Sequence, residues 1–321
     1  MSDLSEAVDG ARPAATVPVD KRPVDRLPGD NRPVDRRPGG APAGRRRPRR
    51  RYSATASVAA AVAVLLWLYP FWLSLQTSLK SDADIRESPF SPAVPPTLDA
   101  YVRAWTTLDM PTLLGNSLVL AVGGALINVV VTFPIAFFIA RRLIPFADAL
   151  FVFLLVGLMV PQQMVVLPLY RIAESLGLTG SLLGLVLIHG VYGIPFSLLI
   201  FRGFFAGIPR ALDDSARLDG CSDSGVLLRI LAPLSGPALA TVFVLQFINI
   251  WNEFLFAVVL LNNSDSWPVT VGVLPVQLSQ YFVSWNLPAA ALLIAQLPTL
   301  VLYVVAQRWV VRGMTAGAMS G

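Results

Sequence analysis

The sequence contains very few of the residues that carry redox, metal or acid–base chemistry. One cysteine, Cys221, allows no internal disulfide, and one histidine, His189, leaves no Cys/His cluster with the spacing of a zinc site. The chain has no glycine-rich Walker segment that could surround the phosphates of ATP. Its scattered carboxylates form no evident acid/base pair. These absences argue against a metal site, a redox protein, an ATPase and a membrane enzyme.

Charged residues are also scarce. They make up 14% of the 321 residues, against 55% hydrophobic residues, and the mean hydropathy is +0.62. An ordinary soluble domain of this length is less apolar, so we expect a bilayer to be the solvent. The net charge of +5 is carried largely by the N-terminal tail. No basic stripe interleaved with aromatic residues predicts a nucleic-acid partner.

The N-terminal tail, residues 1–51, is rich in Pro, Gly, Arg and Asp, and its segment 22–26 recurs as 32–36. Such a composition buries too little apolar surface to fold, so we predict a disordered cytoplasmic tail. The tail ends in an arginine cluster at 45–51, directly before an apolar run. We interpret the cluster as a topology anchor on anionic lipid. The apolar run is too late and too long for a cleaved signal peptide, so it predicts an uncleaved first helix.

The remaining residues, 52–321, predict an all-α membrane domain with six transmembrane helices in a bundle. A helix needs about 20 apolar residues to cross a bilayer, and six stretches qualify: 55–78, 114–140, 147–171, 180–202, 236–260 and 287–309. Prolines inside several of these stretches would break soluble helices. Neighbouring helices in a membrane bundle can satisfy the backbone groups that a proline leaves free.

The distribution of Lys and Arg predicts the orientation of the spans. Basic residues lie in the tail, at Arg141 and Arg142, in the 202–234 segment and at Arg308 and Arg312, and the 172–179 loop contains none. The positive-inside rule therefore places both termini in the cytoplasm of a multi-pass protein of the cytoplasmic membrane. The 79–113 segment becomes an external loop with a short interfacial helix.

The cytoplasmic segment 208–233, here the 208–233 loop, predicts two short helices joined by a sharp turn. Pro209 suits a helix start, and Asp213 and Asp214 lie where the helix dipole favours negative charge. Gly220 occupies the position at which a residue in the left-handed conformation ends a helix, and Ser222 can cap the next helix. Spacing alone leaves two interpretations open, a surface that docks a partner and a well-capped connector with no partner.

The 208–233 loop resembles the EAA loop of binding-protein-dependent ABC importer permeases. The family pattern is Glu-Ala-Ala, three residues, Gly, nine residues, Ile, one residue, Leu-Pro. Here the pattern falls on Asp214-Ser215-Ala216, then Gly220, then Ile230 and Ala232-Pro233, with every spacing kept. Asp214, Ser215 and Ala232 replace the Glu, the first Ala and the Leu of the pattern. The resemblance implies that Asp214, Ser215, Ala216, Asp219, Gly220, Ile230 and Pro233 form the site that couples the chain to an ATPase.

From about residue 52 onward the chain resembles the maltose-type branch of carbohydrate-uptake permeases. The matching segments are Asn116-Ser117, Pro161-Gln162-Gln163, Trp251-Asn252-Glu253-Phe254 and Gly313-Met314-Thr315-Ala316-Gly317-Ala318. The resemblance implies sugar import, with a second permease subunit, a cytoplasmic ATPase dimer and an extracytoplasmic solute-binding protein as partners. It also implies that ATP and magnesium bind the ATPase, so this chain is not an enzyme and binds no cofactor.

Polar residues inside predicted spans are candidate sites, because polar groups are costly in hydrocarbon. Gln246, Asn249 and Glu253 are spaced three and four residues apart and are expected to share one helix face near Asn252. We expect these four residues to line an aqueous path or the interface with the partner permease. Asn128 and His189 are interpreted as contacts between helices and Trp251 as an anchor at the membrane surface.

Two alternatives to a sugar permease remain at this point. The first is an importer permease for another polar solute, which a ligand-binding assay on the solute-binding protein would distinguish. The second is a membrane scaffold that docks a cytoplasmic partner without moving solute. Failure of ATP-dependent uptake by an assembled complex would favour the scaffold.

Overall fold

The computed structural model describes residues 54–274 and 285–318, and beyond Gln307 it describes the backbone only. The predicted tail, 1–51, and the side chains of Arg308, Arg312 and 313–318 therefore lie outside the described residues. Within these limits, every regular element is helical. The described residues all belong to one compact unit that begins at Ala54.

The described helices follow one another with short connections. In chain order they are α1 (Ala54–Ser78), α2 (Asp82–Glu87), α3 (Asp99–Thr107), α4 (Met110–Arg141), α5 (Ala147–Val156), α6 (Gln162–Ser175), α7 (Leu182–Tyr192), α8 (Ile194–Ala206), α9 (Ala211–Leu218), α10 (Asp223–Leu234), α11 (Gly236–Trp251), α12 (Leu255–Leu260), α13 (Val269–Gly272) and α14 (Asn286–Ala318). Helix α10 contains a π-helical turn at Val226–Leu231.

Three described helices, α1, α4 and α14, are each long and apolar enough to cross a membrane. Three further candidates are bent pairs: α5 with its 3₁₀ extension and α6 meet at 105°, α7 and α8 at 44°, and α10 and α11 at 79°. The described chain thus has three continuous spans, and six if each bent pair counts as one. The predicted stretch 236–260 differs from the structure, because α11 ends at Trp251 and α12 begins only at Leu255.

Each bend coincides with a proline at the start of the following helix. Pro161 precedes the first residue of α6, Pro195 lies in the first turn of α8, and Pro237 lies in the first turn of α11. Proline has no backbone N–H to continue the preceding helix, but its fixed φ suits the beginning of a new one. The proline therefore terminates one helix and starts the next in a new direction.

Helix α4 is the centre of the packing, with α7, α8 and α11 against it, and α14 packs on α1, α3 and α11. The buried apolar residues form two clusters. The first contains Leu120, Phe247 and Phe256, and the second contains Phe137, Phe205 and Leu231. Helix α4 contributes its N-terminal half to the first cluster and its C-terminal half to the second.

The predicted external loop, 79–113, is more ordered than the sequence suggested. It contains two helices, α2 and α3, and α3 buries Ala100 and Ala104 in the first apolar cluster. Lys80 is fully buried, and its Nζ donates to the carbonyls of Ser88 (2.6 Å) and Pro89 (3.0 Å). The ammonium group therefore holds the loop together, and the Lys80 carbonyl accepts from Asn286 Nδ2 at the start of α14 (2.9 Å).

Candidate functional site

The 208–233 loop folds as a helix, a tight turn and a second helix. Gly220 has φ +85°, a left-handed conformation that glycine adopts without the steric cost of a β-carbon. The turn is closed by Gly220 N–H to Arg217 O (3.0 Å) and Cys221 N–H to Ala216 O (2.9 Å), the pair of bonds of a Schellman cap. Ser222 caps α10 by accepting from the Gly225 N–H at 3.3 Å.

A buried ion pair fixes helix α9 to the end of helix α4. Arg141 Nε lies 2.6 Å from Asp213 Oδ2, and both side chains are almost completely buried. The Arg141 guanidinium also donates to the carbonyls of Phe205 (3.1 Å) and Ile208 (3.2 Å). One side chain therefore joins the long span α4, the end of α8 and the first turn of α9.

Helix α9 presents two different faces. Asp213 and Ala216, three residues apart, point inward, and Ala216 belongs to the second apolar cluster. Leu212, Ser215 and Leu218, also three apart, are exposed, and Leu218 is 90% exposed. Two leucines, Leu212 and Leu218, are exposed on this polar eight-residue helix, so a partner protein that docks there would bury apolar surface.

The predicted coupling residues occupy different environments. Asp214, Ser215, Asp219, Gly220 and Pro233 are exposed, Ala216 is buried, and Ile230 is half-buried against the second apolar cluster. Arg217 lies between two carboxylates, at 2.8 Å from Asp223 and 3.5 Å from Asp214. The hydrogen bond that Arg217 donates to Asp223 raises the pKa of Arg217 above its usual value, so the arginine stays charged.

A layer of buried polar residues, here the polar layer, separates the two apolar clusters. Its members are Asn128 on α4, Ser197 on α8 and Gln246 on α11. Ser197 Oγ lies 2.5 Å from Asn128 Oδ1, and Gln246 Nε2 lies 2.7 Å from Ser197 Oγ. Asn128 and Gln246 each also donate at 3.0 Å to a carbonyl at the α7–α8 bend, of Gly190 and Gly193. The layer therefore holds the bend against α4 and α11.

Glu253 is the centre of a second buried group, in the break between α11 and α12. Its carboxylate accepts from the backbone N–H groups of Phe256 (2.7 Å) and Ala257 (3.2 Å), the first turn of α12. It also accepts from Gln162 Nε2 at 2.9 Å and lies 3.4 Å from His189 Nε2. One carboxylate thus caps α12 and connects it to the start of α6 and to α7.

The structure separates the four residues that were expected to act together within the fifth span. Gln246 is 1% exposed and Glu253 faces the interior, but Asn249 and Asn252 are exposed. Gln246 and Asn249 lie one turn apart on α11 but differ in burial, and Glu253 lies beyond the end of α11, so one helical period does not relate all three positions. Asn252 lines an apolar cavity of about 690 Å³ with Phe71 and Tyr303.

Other residues took roles that sequence reasoning did not assign. Trp251 is a core residue, 3% exposed and stacked on Phe247, and not an anchor at the membrane surface. Sequence reasoning used Arg141 only to predict the orientation of the spans. The acidic start of α9 at Asp213 could have suggested a partner for this basic residue. Leu218 could have been noticed as an apolar residue among charges. Asn128 and His189 do form contacts between helices, as predicted.

Comparison with known proteins gives consistent matches. Residues 132–316 match the family described as "Binding-protein-dependent transport system inner membrane component". A probable ABC transporter permease protein of Pyrococcus horikoshii is 30% identical over 272 residues, which cover 83% of this chain and 96% of that protein. The sulfoquinovosyl glycerol transport system permease protein of Agrobacterium fabrum is also 30% identical, over 82% of this chain and 93% of that protein.

A solved structure shares the fold. It is a bacterial ABC transporter involved in the import of the acidic polysaccharide alginate, and it superposes with a TM-score of 0.70 over 80% of this chain and 98% of that one. The sequence identity is 22%, so this likeness concerns the fold alone.

Proposed function

Since this chain belongs to the binding-protein-dependent transport system inner membrane components, a family of ABC transporter permeases, we propose that it translocates a sugar through the cytoplasmic membrane. Its partners are a second permease subunit, a cytoplasmic ATPase dimer and an extracytoplasmic solute-binding protein. The chain itself hydrolyses nothing, and the ATP and magnesium belong to the ATPase.

The observation that carries the proposal is the exposed 208–233 loop joined by a buried ion pair to the longest apolar span. A docking element must expose one face to its partner and be rigidly attached by the other. Helix α9 has this arrangement, with Leu212 and Leu218 outward and Asp213 bonded to Arg141. The EAA spacing of the same loop and the family membership support an ATPase as the partner.

We derive the coupling step from the same contacts. Closure of the ATPase dimer displaces α9, and the Arg141–Asp213 pair transmits this displacement to α4 and to the end of α8. Packed helices move as rigid elements, because a close-packed interior deforms little. The displacement therefore reaches the α7–α8 bend and the polar layer, where the spans change between inward-open and outward-open arrangements.

The solute class is supported by relatives and not by a site in this chain. One relative is named for sulfoquinovosyl glycerol transport, and the structural neighbour imports alginate. Both solutes contain sugar units. Asn249 and Asn252 remain our proposed polar contacts for the solute or the partner permease, because both are exposed at the end of α11.

The orientation is part of the proposal. Both termini and the 208–233 loop face the cytoplasm, in accord with the positive-inside rule. The α2–α3 segment then faces the exterior, on the side from which a solute-binding protein delivers its ligand.

The test is uptake by proteoliposomes that contain this chain, its partner permease and the ATPase, with ATP enclosed and the solute-binding protein outside. The labelled solutes are a neutral disaccharide panel, one amino acid and inorganic phosphate. We expect ATP-dependent accumulation of a sugar only. An ATPase variant that binds but does not hydrolyse ATP is the matched control.

Two other outcomes would contradict the proposal in different ways. Uptake of the amino acid or of phosphate alone would leave an importer but remove the sugar assignment. Assembly of all subunits with a liganded binding protein and no uptake would favour the scaffold function instead.

A further inference from the structure

We propose that the cytoplasmic ends of α4, α5 and α8 form a binding site for the headgroup of an anionic phospholipid. The site is a cavity of about 590 Å³ whose lining includes Arg142, Arg202 and Arg210 together with Phe151 and Leu199. Its residues differ from those of the predicted arginine cluster at 45–51 and from the side chains of the Arg141–Asp213 pair.

The charge of the cavity is incompletely neutralised. Asp148 lies 2.8 Å from Arg142 and 3.2 Å from Arg202, so two arginines share one carboxylate. Arg210 is exposed and forms no ion pair with any residue in the described ranges. Three guanidinium groups against one carboxylate leave a net charge of +2 at the site. A phosphodiester would supply the missing negative charge with charge-assisted hydrogen bonds.

The walls of the cavity suit the apolar part of a lipid. The Arg202 guanidinium lies 3.8 Å from the centre of the Phe151 ring. A charged group and an aromatic ring are therefore in contact in the lining of the cavity. Leu199 in the cavity lining is about half exposed, and Phe196, one turn earlier on α8, is also exposed. A headgroup bound by the arginines would therefore continue into acyl chains along a surface that is already apolar. A soluble anion would make no use of that surface.

The backbone beside the cavity supports a role for the Arg142 side chain. Arg142 ends α4 with φ +57°, and Phe146, four residues later, has φ +56°. Left-handed residues other than glycine are uncommon and concentrate at functional positions. The two left-handed residues turn the connector 142–146 between α4 and α5, so the backbone conformation fixes where Arg142 stands in the lining of the cavity.

The position in the membrane favours lipid over other anions. Basic pockets between spans on the cytoplasmic side attract anionic headgroups, and each basic side chain near such a surface contributes a factor of about five in affinity. Arg210 also lies directly before α9, so a bound headgroup would stand next to the docking loop. The assignment requires only the proposed orientation and does not depend on which solute is transported.

The experiment uses the assembled complex in nanodiscs of phosphatidylcholine that contain a low mole fraction of photoreactive phosphatidylglycerol. After irradiation, labelled peptides are mapped. We expect labelling in the segments 146–153 and 196–210. Removing two arginines in an Arg142→Gln/Arg210→Gln variant should lower this labelling on the order of 25-fold. The matched control, Arg217→Gln/Arg229→Gln, removes the same charge from the cytoplasmic loop outside the cavity and should label as the parent does.

Four results would overturn the assignment, and none depends on transport. Equal labelling of the parent and the double variant would show that the arginines do not bind the headgroup. Equal labelling by photoreactive phosphatidylcholine at the same mole fraction would remove the requirement for negative charge. Displacement by millimolar inorganic phosphate alone would identify a soluble anion site. Labelling of the isolated chain but not of the complex would show that a partner subunit covers the cavity.

Discussion

Two adjacent arginines at the end of α4, Arg141 and Arg142, differ in burial and in the groups that they contact. Arg141 is buried and bonded to Asp213 and two carbonyls, but Arg142 is exposed and paired with the exposed Asp148. Removing one partner of a buried ion pair leaves an uncompensated charge, whereas an exposed pair contributes little. The same amino acid therefore has very different importance at two adjacent positions.

Arg141→Met should destabilise the chain by about 3–5 kcal/mol, and Arg142→Met by less than about 1 kcal/mol. Thermal unfolding in detergent would measure both. Adding Asp213→Leu to Arg141→Met should recover stability, because the stranded carboxylate is gone. ATP-dependent uptake should stay low in the double variant, since methionine cannot bond the carbonyls of Phe205 and Ile208. Full recovery of uptake would contradict the transmitting role of Arg141.

A comparison of Gly220 with Gly177 distinguishes the effect of backbone strain at the turn from the effect of lost docking to the ATPase. Both are left-handed, at φ +85° and +67°, and both would place a β-carbon in open space. Alanine at either position should cost about 1 kcal/mol through backbone strain. Only Gly220→Ala should reduce ATPase-coupled uptake, because Gly177 follows α6, far along the chain from the 208–233 loop. Equal loss of uptake in both variants would show that the effect is one of stability.

At the scale of the elements, the sequence was informative about which segments are helical and less so about where they bend. The stretches 55–78, 114–140 and 287–309 correspond to α1, α4 and α14. The prolines did not distinguish bends from continuous helices: Pro134 lies inside α4, but Pro195 starts a new helix after the α7–α8 bend. Whether a proline bends a span depends on neighbouring side chains that satisfy the freed carbonyls, and hydropathy contains no information on those contacts.

The candidate site was predictable to a similar degree. The capped turn at Gly220 and Ser222 follows from local rules, because each residue satisfies backbone groups within four positions. The Arg141–Asp213 pair joins residues 72 positions apart, and no local rule relates them. Glu253 was assigned to the face of Gln246 because the helical period was continued through the break that follows Trp251.

Gln246 and Asn249 lie one turn apart on α11. Alanine substitution should lower stability at Gln246 and alter only uptake at Asn249. Gln246→Ala should destabilise the chain by about 1–3 kcal/mol, because it removes the partner of two buried groups in the polar layer. Asn249→Ala should leave thermal stability unchanged and alter the solute dependence of uptake. Unchanged kinetics in a well-assembled Asn249→Ala complex would remove Asn249 from the transport path.

At the scale of the whole molecule, docking on one side should be separable from the assembly of the spans. Leu218→Asp places a charge on the most exposed apolar side chain of α9 and should prevent co-purification of the ATPase while the second permease is retained. Leu176→Asp is the matched control, since Leu176 is also exposed but ends α6 on the proposed external side. Loss of the ATPase from both variants, or from neither, would contradict docking through α9.

The contact between α1 and α14 has a consequence for biosynthesis. Among the described helices, α1 leaves the ribosome first and α14 last, yet α1 packs chiefly against α14. The roughly 210 residues between them take on the order of 10 to 40 s to translate. During that time α1 lacks the helix that it chiefly contacts. Its most apolar stretch has no buried residue, so we expect its surface to be stable in lipid before α14 is made. A nascent chain stopped before Asn286 should already resist alkaline extraction from the membrane.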